Sequence, residues 1–141
     1  MFRCLNLLIC AIDIFLIITV SFADQAETYY REGLTALSQN EQEKALVAFQ
    51  HAVGLNPTLA NAHFSIGMLL KEQESWKLAR NALQNAVCAD PDYIAAYDTL
   101  AELQIEIFAQ IDQAILLLEK AKTIKPKDSQ IHKWLGIAAK G

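Results

Sequence analysis

Cysteine is scarce in this chain, and its placement limits how the fold can be held together. There are three in 141 residues, and two of them, Cys4 and Cys10, lie within the first 23. Beyond that segment Cys88 stands alone. No internal disulfide can form there, so stability must come from packing whatever the redox state of the compartment. The place expected for Cys88 is a small, buried, apolar position near a helix end. Glycine is also rare, five in all, and no glycine-rich loop of the kind that cradles phosphate occurs. His51, His63 and His132 are far apart in sequence, no metal-ligand spacing is present, and no nucleophile stands beside a base. Catalytic residues, metals and cofactors are therefore expected to be absent.

Basic charge is in deficit. Twelve Lys and Arg face sixteen Asp and Glu, a net charge of −4, whereas binding to nucleic acid is driven by clustered cations that neutralise phosphates. The one lysine-rich stretch, Lys120, Lys122, Lys125 and Lys127, spreads around a helix instead of forming one face. Its simplest role is to complement the partial negative charge at a helix C-terminus. Nucleic acid is thus not an expected partner.

Long apolar runs are missing except at the N-terminus. Arg3 precedes an apolar run from Leu5 to Val20, followed by Ser21-Phe22-Ala23, with small residues at the two positions a signal peptidase reads. This is the pattern of a secretory signal peptide. The run falls short of the roughly 20 residues a membrane span needs, and Asn6 and Asp13 interrupt it. Cleavage after Ala23 is the expectation, with a retained anchor as the alternative. Arg3 held inside sends the following domain out of the cytoplasm in either case. Leu7-Leu8-Ile9 lacks the small residues a lipoprotein acceptor would need before Cys10. Removing residues 1–23 takes away one basic residue, Arg3, and one acidic residue, Asp13, so the net charge stays at −4.

What the chain does have is repetition. Its only prolines, Pro57, Pro91 and Pro126, are spaced by 34 and 35 residues, a period that marks stacked structural repeats. Counting back gives units 26–59, 60–93 and 94–128, with a partial fourth over 129–141. Gly33, Gly67 and Ala101 share the eighth position, and Ala45, Ala79 and Ala114 the twentieth. Phe49, Leu83 and Leu118 share the twenty-fourth, Ala52, Ala86 and Ala121 the twenty-seventh, and Tyr29, His63 and Tyr97 the fourth. Two helices approach to 8–10 Å only where small residues meet, which pairs Gly33 with Ala45. The bulky twenty-fourth residue is expected to fill the space between one hairpin and the next. Each proline stops the second helix of its unit, because the residue before it is pushed out of the helical region. Within the first unit Ala45, Phe49, Ala52 and Val53 line one helical face. The spacing predicts helices over 25–38, 42–55, 59–72, 76–89, 93–107, 111–124 and 128–139.

With Ala26-Glu27-Thr28-Tyr29-Tyr30, Gly33, Ala45, Phe49, Ala52 and Leu55-Asn56-Pro57, the first unit resembles a tetratricopeptide repeat. Gly67, Trp76, Ala79, Ala86 and Asp90-Pro91 repeat the pattern. The resemblance implies an all-α fold, a right-handed superhelical solenoid of antiparallel helix hairpins, formed by three repeats plus a C-terminal capping helix at 129–141. The third unit departs from it, with Ala101 for glycine and an extra residue at Phe108-Ala109-Gln110-Ile111, where a longer or distorted turn is expected. Trp134, Leu135 and Gly136 mark the cap, which covers the apolar face the last hairpin would expose.

Function follows from the resemblance as an expectation. Such modules bind a peptide or helix of a partner protein in a groove lined by the first helix of each unit, and are not enzymes. Here the groove positions include Tyr30, Leu34, Phe64 and Met68, apolar where packing alone does not require it. They also include Asp98, Glu102 and Glu106, a stripe of carboxylates four residues apart that would favour a basic partner segment. Co-chaperones of this family grip a terminal carboxylate with Lys, Asn and Arg, but Tyr30, Leu34, Ser65, Ala95 and Thr99 stand at those positions. The leading reading is an exported adaptor or assembly factor acting on an envelope protein. The alternative is a self-associating scaffold, with Trp134 on an exposed terminal face.

Overall fold

The computed structural model of the protein describes residues 2–140, with side chains from residue 16 onward. Among the described residues there are seven helices and no strand: α1 (Phe2–Ser38), α2 (Gln42–Leu55), α3 (Ala60–Glu72), α4 (Trp76–Ala89), α5 (Ile94–Glu106), α6 (Ile111–Ile124) and α7 (Ser129–Ala138). Their boundaries agree with the sequence expectation to within a residue or so, except that α1 runs back to Phe2 without a break at the Ala23–Asp24 bond. Cys4, Cys10 and most of the apolar N-terminal run lie outside the residues whose side chains are described. Leu16, Ile17, Ile18, Val20 and Phe22 are exposed. Among the described residues no helix is long and apolar enough to cross a membrane.

The chain divides into two compact units, Met1–Pro57 and Thr58–Gly141. In the first, α1 packs on α2. In the second, α3 packs on α4, α4 on α5, α5 on α6, and α7 closes on α5 and α6. The three prolines act as their spacing implied. Asn56, Asp90 and Lys125, each just before a proline, have φ of −133°, −135° and −133°. This is the extended backbone that a following pyrrolidine ring enforces.

The small-residue columns work differently from the expected Gly33–Ala45 meeting. A Cβ added at Gly33 would lie 2.5 Å from Cε1 of Phe49, and all three of its nearest neighbours belong to that ring. At Gly67 an added Cβ would lie 2.8 Å from Cγ of Leu83, with the Ala79 carbonyl oxygen following at 3.5 Å. The eighth-position glycine thus makes room for the twenty-fourth residue of its own hairpin. Phe49, Leu83 and Leu118 are fully buried, and each such side chain contributes about 1.5–3 kcal/mol by leaving water.

The hairpin turns share one device. Asn40, Glu74 and Ala109 have φ of 61°, 57° and 51°, the left-handed region that reverses the chain after a helix. In the first two turns the amide N–H of Glu41 donates to Ala36 O and that of Ser75 to Leu70 O, both at 2.9 Å. The third turn is one residue longer, as expected. There the Gln110 N–H reaches back one position further, to Gln104 O at 2.7 Å.

Two sequence expectations are corrected. Trp134 does not stand free on a terminal face: it packs with Leu135 against a core of Tyr97, Ala101, Ala114, Leu118, Ala121 and Ile131. The apolar face of α6 needs this cover, and Trp134 supplies part of it. Cys88 is exposed, because its column in the repeat, with Gly54 and Thr123, faces outward throughout.

Candidate functional site

In the first unit the candidate face is that of α1. Tyr30 packs on the Phe49 ring at 5.5 Å between centroids, so it is half-buried and braces the hairpin. One turn later Leu34 is 43% exposed. Beside them Arg31 pairs with Glu27 at 3.4 Å on the solvent side, where such a pair contributes little. Leu34 is therefore the apolar group of this face that is open to a partner.

In the second unit the candidate face is formed by α3 and α5. Phe64 meets Tyr93 edge-on at 5.2 Å and packs against the core of Ala79, Leu83, Leu100 and Leu103. It is a partial core residue as well as a face residue. Met68 is half-buried one turn on. An unbranched thioether at the edge of a core adapts readily to a partner's shape.

The three carboxylates stand in three different environments. The Glu102 carboxylate accepts a hydrogen bond from Lys71 Nζ at 2.7 Å, joining α5 to α3. The two side chains keep only 29% and 25% exposure, so the pair is screened less than a surface pair. Asp98 occupies the fifth position, which holds the packed rings Tyr30 and Phe64 in the other units. Its Oδ1 is buried without a hydrogen-bond partner. Burial, reinforced by the Asp128 carboxylate and opposed by Lys125, pushes its pKa up to about 6. Asp128 is held below the usual range, first by its hydrogen bond from Lys125 and then by that from the Gln130 N–H. Glu106 is exposed. Of the three predicted carboxylates, one is paired within the chain, one is half-buried and only Glu106 faces water freely.

Lys71 was the residue of this face that sequence reasoning did not single out for a pairing role. Its signal was present: a cation at the twelfth position of one unit opposite an anion at the ninth of the next. Among the described residues no group of His, Cys, Asp and Glu could hold a metal ion.

The comparisons with known proteins agree with this fold. Models of the tetratricopeptide repeat match residues 26–59 and 70–136. The crystal structure of MamA is similar with a TM-score of 0.74 and 27% identity, over 82% of this chain and 67% of that one. The TPR domain of Arabidopsis OM64 is similar with a TM-score of 0.73 and 17% identity, over 84% and 98%. The first TPR of Spaghetti (RPAP3), bound to the HSP90 peptide SRMEEVD, has a TM-score of 0.73 and 13% identity, over 84% and 95%. No curated protein matches the sequence. With two matching repeat models, hairpins of this register and these structural relatives, the fold is an all-α repeat solenoid of the protein-interaction type, and the chain belongs to the tetratricopeptide repeat family.

Proposed function

We propose that this chain is an exported adaptor or assembly factor that binds a peptide or helix of an envelope protein through the first-helix faces of its repeats. The observation that carries the reading is the apolar side chain left open on each face: Leu34 at 43% exposure on α1 and half-buried Met68 on α3. Neither fills the hairpin interior, which Phe49 and Leu83 already occupy. The Arg3-to-Ala23 pattern supports export. A structural relative carrying a bound peptide supports the binding mode.

The ligand chemistry differs from that relative's acidic peptide. The positions that would hold a terminal carboxylate carry Tyr30, Leu34, Ser65, Ala95 and Thr99, none of which is cationic. With Glu102 paired to Lys71, the partner's contribution is aliphatic or aromatic anchors, with any basic residue directed to Glu106. The module works by binding and not by catalysis: among the described carboxylates Asp98 is the one raised toward neutrality, and it faces another carboxylate and a lysine of its own chain.

Tyr30 and Phe64 are poor probes, since truncating either also opens the core. Leu34→Asp and Met68→Asp are the better pair. Each should leave the helical circular-dichroism spectrum intact and remove the partner from a pull-down out of native cells. Partner capture unchanged in both variants would refute the face as the binding surface. Export is tested separately by N-terminal sequencing of the mature protein, expected to begin at Asp24.

A further inference from the structure

A second place on the molecule has the makings of a binding site, on the opposite helices of the second unit. Helices α4 and α6 flank α5, leaving a cleft of about 620 Å³ between them, within the usual size range of ligand pockets. Val87, Leu100, Leu116 and Leu117 give it an aliphatic wall. Leu116 is 71% exposed at the rim, more than Leu78, Ile107 or Ile137, the other exposed large apolar residues of the second unit. Exposed apolar groups beside a concavity mark interaction sites.

Most polar groups of the cleft are carboxamides. Gln84, Asn85, Gln104 and Gln113 line it, and Lys120 is the only charged residue among the lining groups. Gln104 is 3% exposed. Its Nε2 donates to Gln113 Oε1 at a long 3.5 Å, while its own Oε1 has no partner. A buried carboxamide left half satisfied costs about 1–3 kcal/mol, and an unsatisfied buried group in a native fold calls for an explanation. Its column in the repeat holds Ala36 and Leu70 elsewhere, so packing does not demand an amide here.

We infer that this cleft takes an extended, uncharged, aliphatic peptide segment of a partner protein, with the Gln104 side chain turning outward so that its Oε1 accepts a hydrogen bond from a backbone N–H of that segment. Carboxamides carry both a donor and an acceptor, as the peptide bond does, and a row of them suits a backbone better than an ion. An aliphatic side chain of the segment lies between Val87 and Leu116. A helix does not fit, because its interior N–H groups are already bonded. A fatty acid does not fit either: its chain offers nothing to Gln104, and its carboxylate would find only Lys120. This site is separate from the α3–α5 face, so it stands or falls independently of the reading above.

The test is selection of a phage-displayed random library of peptides about twelve residues long on the full-length protein, followed by binding of the recovered peptides to variants. The expected peptides are uncharged and rich in Leu, Ile and Val. They should bind Leu116→Arg at least roughly tenfold more weakly and Gln104→Leu several-fold more weakly. Bound peptide should also shield Cys88, which lines the cleft, from N-ethylmaleimide, read by mass spectrometry. Circular dichroism confirms that both variants fold, and Leu116, being exposed, can change without touching the core. The inference is overturned if no peptide is enriched, if both variants bind like the parent, or if Cys88 alkylates at the same rate with peptide bound. It is likewise overturned if light scattering shows that the chain dimerises and that Leu116→Arg abolishes the dimer, since the occupant would then be a second copy.

Discussion

The second and third hairpins, adjacent in one compact unit, solve the same packing problem in different ways. In α3–α4 a glycine at the eighth position lets Leu83 press directly against the helix backbone, and the exposed flank of α3 stays apolar with Phe64 and Met68. In α5–α6 the eighth residue is Ala101, Leu118 is still fully buried, and α5 and α6 approach each other less closely than α3 and α4. The connecting turn is one residue longer. One methyl group at the crossing thus goes with a wider hairpin and a longer turn. The wider hairpin also carries polar groups on α5, namely Asp98, Glu102 and Gln104, where its neighbour has Phe64, Met68 and Leu70. The close hairpin provides an apolar face, and the wide one provides charges that are mostly consumed within the chain.

The comparison is broken most strongly at the glycine. Gly67→Val places carbon where Leu83 Cγ already stands 2.8 Å from the added Cβ, and should destabilise the protein by about 3 kcal/mol through overpacking. Ala101→Gly in the wide hairpin should cost only about 1 kcal/mol, chiefly the helix penalty of glycine. Urea denaturation of both variants measures the difference. Equal losses would show that the two crossings are equally tight.

Next comes the aspartate that replaces a ring. Asp98 has a folded-state pKa near 6, above its ordinary 3.8, so the folded protein holds this proton more tightly than the unfolded chain. Its stabilising contribution is full below about pH 4 and is lost as pH rises through about 6. Asp98→Asn should therefore raise stability at pH 7.5 by about 1–2 kcal/mol, the full shift being reduced by solvent screening of a partly exposed carboxylate, with the difference from the parent closing toward pH 4. A gain independent of pH would contradict the burial argument.

Smaller effects refine the picture. A double-mutant cycle on Lys71→Met and Glu102→Gln should give a coupling of about 1 kcal/mol, because the pair is half-buried. The left-handed turn positions should respond to glycine by a few tenths to about 1 kcal/mol of stabilisation. Glu74→Gly and Ala109→Gly should gain more than Asn40→Gly, since asparagine already tolerates that conformation, and thermal melts will rank them.

Much of this was legible in the sequence because the repeat makes each residue a comparison with its counterparts. Proline spacing placed the helix ends, and the extra residue before Ile111 foretold the longer turn. The unit boundary at Pro57 and the pairing of Lys71 with Glu102 were harder to read, because they depend on which elements face each other. Reading Asp98, Glu102 and Glu106 as one stripe assumed that groups on one helix face share one environment. A column in which Asp98 stands for Tyr30 and Phe64 already hinted at burial. Cys88 was misplaced by the average behaviour of free cysteine, although Gly54 and Thr123 in its column marked an outward position.

The central claim is that the first-helix faces hold a partner protein, and photocrosslinking in the native cell tests it most directly. A photoreactive residue at Leu34 or at Met68 of the full-length chain is predicted to trap a protein other than this one at each position, identified by mass spectrometry. Self-crosslinks alone, or none at either position, would contradict the account and leave both apolar groups as incidental features of the surface.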